Sequence, residues 1–164
     1  MSRPSTPGTT PSAPSRHTTA APRQPLTEEL LDRLLASDDP DTYLDKERIQ
    51  DHGLTGYLWM LLRESGLNRT RLAGASGINA QYVHDIFEGK TKKPSRDYII
   101  RLAIGMRCGL RNTQRLLRLS GVSELYCRQK RDAIIIWCVT HGLDLPATDE
   151  ELHRLGEPTL VPKD

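Results

Sequence analysis

The sequence predicts an all-helical fold, and three observations lead there. Apolar residues recur at three- and four-residue spacing along most of the chain. Capping residues such as Asn68, Asn79 and Ser95 stand in front of those runs, and glycines such as Gly66, Gly89 and Gly121 stand behind them. The run Ile134-Ile135-Ile136 is β-prone, but its flanks are helical and no partner strand is present to pair with it.

The elements follow in order. Leu26, Leu30, Leu31, Leu34 and Leu35 fall at helical spacing, with Thr27 as cap and Glu28 and Glu29 in the first turn. Asp39-Pro40 restarts a helix, the aspartate as cap and the proline at the first helical position, and this piece extends to about Asp51. His52-Gly53 breaks the chain. A mostly apolar helix then runs from Leu54 to Ser65-Gly66. Asn68 caps a short helix through about Ala75, Gly77 marks a tight turn, and Asn79 caps the next helix, which runs to about Glu88. After the loop Gly89–Pro94, Ser95 caps a helix carrying Tyr98, Ile99, Leu102, Ala103 and Met106. Another begins at Asn112 or Thr113 and is closed by Gly121. The stretch Asp132–Thr140 is apolar all round, so it is expected to be buried on several sides or to lie at a subunit interface. Thr148-Asp149-Glu150-Glu151 is a capping-box sequence that predicts a last helix through Leu155.

Composition narrows the function classes. The first 25 residues are mostly Ser, Thr, Pro and Ala, cannot bury enough apolar surface to offset their ordering entropy, and are expected to be disordered. Nine Ser or Thr among residues 2–19 would suit phosphorylation, which adds roughly two negative charges per site at neutral pH. The three cysteines, Cys108, Cys127 and Cys138, are irregularly spaced and do not form a disulfide framework, so a cytoplasmic location is expected. No apolar run is long enough to cross a membrane, and the N-terminus has no secretory h-region. The net charge of +2 conceals blocks: residues 1–25 carry +3, residues 26–51 carry −6, residues 63–111 carry +6 and residues 112–164 carry −1. The basic block suits phosphate binding, and it equally suits packing against the acidic segment.

Within that basic block the spacing from Arg69 to Glu88 is specific. Leu72-Ala73 lies on one helix, Gly77-Ile78 in the turn, and Val83 and Ile86 on the next helix. Ala73 permits a close helix crossing, Gly77 can take the positive φ of a short inter-helix turn, and Leu72, Ile78, Val83 and Ile86 fill the wedge between the helices. The solvent face of the second helix is then Asn79, Ala80, Gln81, His84, Asp85 and Glu88.

From about Leu54 to Arg107, a third of the chain, the sequence resembles the lambda-repressor-like (Cro/repressor, XRE-type) helix-turn-helix family. The resemblance rests on Leu72-Ala73, Ser76-Gly77, Gly89 and Pro94-Ser95, which share one register. Asn68-Arg69 stands where the family often has a glutamine, and Phe87 stands where it often has a glutamate. The resemblance implies an all-α, lambda-repressor-like bundle over residues 53–121. Around it lie the tail 1–25, an acidic helical extension 26–52 and a C-terminal helical extension 122–164. It also implies that the second helix lies in the major groove of double-stranded DNA. Asn79, Ala80, Gln81 and His84 would then read base edges, and Arg69, Arg71, Lys90, Lys92 and Lys93 would contact phosphates.

Other constellations are weaker. Cys138 and His141 share a helix and Cys127 is nearby in sequence, but a zinc site lacks a fourth ligand at matched spacing, and no metal or cofactor is expected. Arg128, Lys130 and Arg131 form a second basic cluster. No enzyme signature is present: there is no phosphate-cradling glycine loop, nucleophile elbow or metalloprotease helix. The expected function is that of a cytoplasmic, non-enzymatic, sequence-specific transcriptional regulator that pairs with itself through the helix around Ile134–Val139. The alternative is a protein-interaction adaptor with a phosphorylatable N-terminal tail.

Overall fold

The structure, a computed structural model, describes residues 27–47 and 53–163. The tail 1–25, with its Ser/Thr sites, and the segment around Ile49–His52 lie outside the described residues. All the regular structure among them is helical, in the order α1 (Thr27–Leu35), α2 (Pro40–Glu47), α3 (Leu54–Ser65), α4 (Arg69–Ser76), α5 (Ala80–Phe87), α6 (Arg96–Gly105), α7 (Leu110–Leu119), α8 (Lys130–Thr140) and α9 (Leu145–Arg154). The chain divides into two compact units, Met1–Gln50 and Asp51–Asp164.

In the first unit α1 carries Glu28 and Glu29 in its first turn and Arg33 in its last, charges placed to suit the helix dipole. Asp39 caps α2: its carboxylate accepts from the Thr42 amide and the Thr42 hydroxyl, both at 2.7 Å. Tyr43 is buried, while Leu31, Leu35 and Leu44 are exposed.

In the second unit α6 is the central helix. Every residue from Ile99 to Met106 is buried, because α4, α7 and α9 all pack against it. One continuous core runs from Leu58 and Leu72 through Phe87, Ile99 and Leu116 to Ile135 and Leu152. The helices of residues 122–164 therefore share the core of residues 53–121. Helices α4 and α6 cross closely at Gly105 of α6, where a Cβ would lie 2.9 Å from a Leu72 methyl and 3.3 Å from the Ser76 backbone nitrogen.

Two crossed ion pairs join the starts of α6 and α8. The Arg96 guanidinium grips Asp132 with both arms, at 2.9 and 2.7 Å, and Arg131 grips Asp97 at 2.9 and 2.9 Å. Burial alone would raise the Asp132 carboxyl. Arg96 and the Tyr126 amide more than offset that and hold it below the usual carboxylate range. The second basic cluster is thus largely engaged within the protein: Lys130 donates to the Leu155 carbonyl at 2.6 Å and pairs with Glu157, Arg131 pairs with Asp97, and Arg128 makes no ion pair among the described residues.

Two sequence expectations shift. Helix α7 begins at Leu110, two or three residues before Asn112 or Thr113. Asn112 instead accepts from the Tyr57 hydroxyl at 2.9 Å, and the Thr113 hydroxyl donates back to the Gly109 carbonyl at 3.0 Å. Helix α9 begins at Leu145 with Asp144 as its cap, so Thr148 is a buried interior residue whose hydroxyl donates to the Asp144 carbonyl at 2.8 Å. Asp149 of the expected box caps the C-terminal strap, accepting from the amides of Leu160 and Val161. Helix α8 is buried at Ile135, Cys138 and Val139, half-buried at Ile134 and Ile136, and exposed at Trp137.

Candidate nucleic-acid interface

The α4–turn–α5 pair is built by local chemistry. The Asn68 side chain accepts from the Arg71 amide at 2.8 Å and starts α4. Gly77 ends it with φ at +61°, a left-handed conformation that glycine adopts at no steric cost. Ile78 is buried beneath the turn, and Asn79 starts α5 by accepting from the Gln81 amide at 2.8 Å. Leu72, Ile78, Val83 and Ile86 are all buried, as the wedge between the helices requires.

The turn is also clamped from α6. Arg101, 5 % exposed, donates to the Ser76 carbonyl at 3.0 Å and to the Gly77 carbonyl, while its guanidinium lies 4.9 Å from the Tyr98 ring centroid. A cation is thereby placed at the negative end of α4, on carbonyls that the helix leaves without partners. Leu145 and Val161 stand 3.4 and 3.8 Å from where a Gly77 Cβ would be. Arg101 had one signal in the sequence: it is the only charge inside the apolar run from Tyr98 to Met106.

The outer face of α5 begins in its first turn. Asn79, Ala80 and Gln81 are exposed, and His84 and Asp85 are partly exposed. The Asn79 oxygen is engaged as the cap. The Gln81 amide donates to Asp85 at 3.0 Å. Arg69 reaches across from α4: one guanidinium nitrogen lies 2.5 Å from His84 Nδ1 and 3.1 Å from Glu88. An arginine nitrogen only donates, so Nδ1 accepts and the ring proton sits on Nε2. The same guanidinium lies 5.2 Å from the Trp59 ring centroid.

These contacts sort the expected phosphate-binding cations. Arg69 is held within the protein by His84, Glu88 and Trp59. Arg71, Lys90, Lys92 and Lys93 are exposed and make none of the ion pairs recorded among the described residues. Lys90 and Thr91 donate their backbone amides to the Asp85 carbonyl at 2.9 and 3.3 Å, which folds the lysine loop back against the end of α5.

Phe87 corrects the departure noted from the sequence. It is fully buried and leaves the outer face altogether. Trp59 of α3 covers it edge-on, with ring centroids 5.0 Å apart, and donates its indole N–H to the Phe87 carbonyl at 3.2 Å. Trp59 was not singled out from sequence, where it is one more large residue in an apolar helix.

Among the described residues, no three His, Cys, Asp or Glu side chains gather as metal ligands, and no helix is long and apolar enough to cross a membrane. Cys138 is buried against Thr148, and the His141 ring stacks on Trp137. No protein-family model, curated protein or solved structure matches the chain.

Proposed function

We propose that this chain is a non-enzymatic, sequence-specific DNA-binding transcriptional regulator acting in the cytoplasm. In this reading α4 and α5 form a helix-turn-helix of the lambda-repressor-like kind, with α5 lying in the major groove. One observation carries the proposal. The outer face of α5 is exposed from its first turn, its two acids are each held by a neighbouring side chain, and four exposed cations flank it.

The roles follow from the chemistry. Gln81 can make a bidentate contact to adenine by exchanging its bond to Asp85 for bonds to the base, and Ala80 suits a thymine methyl. His84 offers its Nε2–H to a base acceptor, and Asn79 retains its amide nitrogen as a donor while its oxygen caps the helix. Arg71, Lys90, Lys92 and Lys93 set register on phosphates. Arg69 holds His84 and neutralises Glu88, so it acts through them. One short helix reads a short half-site, so the reading includes self-association.

The test is binding of the full chain to duplex DNA selected from a random pool, followed by fluorescence anisotropy over a range of salt. The log–log salt slope should be about −0.9 per phosphate neutralised, or roughly −4 per copy if all four cations engage. Lys92→Ala and Lys93→Ala should each reduce the slope by about 1 and weaken all sequences alike. Gln81→Ala should relax preference at one position at a cost of roughly 1–3 kcal/mol. A folded chain that binds no duplex at low salt would overturn the proposal and leave the adaptor reading.

A further inference from the structure

We propose that the face formed by α8 and α9 is a two-fold self-association surface on which each copy's Trp137 enters the groove beside the other copy's Trp137. The groove lies between the two helices, holds about 380 Å³ and is open to solvent. Its walls are apolar: Ala133, Ile134 and Trp137 from α8, and Leu155 at the end of α9. Trp137 is 51 % exposed on that wall.

The indole is already held in place. The His141 ring stacks on it at 4.1 Å between centroids, and the imidazole is fixed in turn by Nδ1, 2.7 Å from the Trp137 carbonyl oxygen. A large apolar side chain that loses little rotamer freedom on docking is the kind that anchors interfaces. The recess beside it falls in the range of about 300–1,000 Å³ that accepts whole small molecules, so it is ample for one indole. A projection and a matching recess on the same patch meet the requirement of a self-complementary, two-fold contact.

The rim decides between occupants. Arg154 is paired with Glu151 at 2.6 Å, and Lys130 with Glu157 at 3.4 Å and with the Leu155 carbonyl. The rim is therefore neutral, so two copies of this face meet without net repulsion, which two copies of the lysine-rich loop after α5 would not. Its cations are already engaged, which leaves no convergent polar group to orient a small ligand. This inference rests on the proposed function only for the use of the pair on two half-sites, and it is tested without DNA.

The experiment is sedimentation velocity of the full chain over a range of concentrations. A monomer–dimer equilibrium is expected. Trp137→Ala should weaken it by about 30-fold or more, and Ile134→Glu should do the same. Tyr126→Ala, at an exposed side chain that does not line the groove, should leave it unchanged. Circular dichroism establishes that each variant is folded. A chain that stays monomeric at every concentration overturns the inference, as does a dimer that both groove variants leave intact. A monomer that takes up one apolar fluorophore, lost in Trp137→Ala, also overturns it in favour of a ligand pocket. A groove-dependent dimer that binds no DNA keeps the inference and removes the proposed function.

Discussion

Replacing Arg101 by methionine keeps the aliphatic length of the side chain and removes its fork. Two carbonyls lose a charged donor, and hydrogen bonds to charged groups contribute about 1.5–3 kcal/mol each. The two losses are unequal. Gly77 is exposed, so its carbonyl can turn to water, whereas Ser76 is fully buried and its carbonyl would be left without a donor. The stacking on Tyr98 is lost as well, and the guanidinium's own desolvation is recovered. The net destabilisation should be about 2–4 kcal/mol. Urea unfolding at neutral pH measures it, and the thermal midpoint should fall by roughly 3–5 °C per kcal/mol for a unit of this size. Arg101→Lys should lie between the two, since one ammonium lacks the planar fork that spans both carbonyls. A loss below about 0.5 kcal/mol in Arg101→Met, or full stability in Arg101→Lys, would refute the clamp.

Phe87→Ala should cost about 3–5 kcal/mol in urea unfolding, the range for deleting a buried ring, and Phe87→Glu should unfold the unit, as circular dichroism would show. Asp132 has a depressed carboxyl in the folded state, so its contribution is present above the ordinary carboxylate pKa of about 4 and is lost as pH falls below it. Urea midpoints should therefore drop progressively as pH falls below about 4, and Asp132→Asn should flatten that drop while lowering stability at pH 7 by about 3 kcal/mol. Of the three thiols, the exposed Cys127 should react first with a disulfide reagent at pH 8. Burial, with Glu64 adding to it, pushes the Cys108 thiol up to about 12, and burial raises Cys138, so both should label only on unfolding.

The caps were the most legible part of the sequence. Asn68, Asn79 and Ser95 each accept a backbone N–H in the first turn of the helix they precede, and Gly66, Gly77 and Gly89 each take a positive φ at a helix end. These are local effects, decided within four residues. The errors came where two local signals competed and packing chose. Thr148 to Glu151 reads as a helix start, yet Asp144 offers an earlier cap and Pro146 suits the first turn, so burying Leu145 and Leu152 on one helix extends α9 backward. Gly109 starts α7 with no side-chain bond to announce it. The outer face of α5 was legible from its spacing. That Arg69 would turn inward to His84 and lie over Trp59, and that Trp59 would cover the buried Phe87, involves contacts between residues ten and twenty-eight positions apart.

Trp59 also gives this protein an intrinsic optical probe of α5. Its indole touches Phe87 on the core side and lies under the Arg69 guanidinium on the outer side. Indole emission responds to nearby charge and to water, so anything that draws Arg69 away from His84 and Glu88 will register in the fluorescence of an unlabelled chain. The second tryptophan, Trp137, is on α8, and Trp137→Phe leaves Trp59 as the only tryptophan. Engagement of the outer face can then be followed in that variant with no tryptophan signal from the α8–α9 groove.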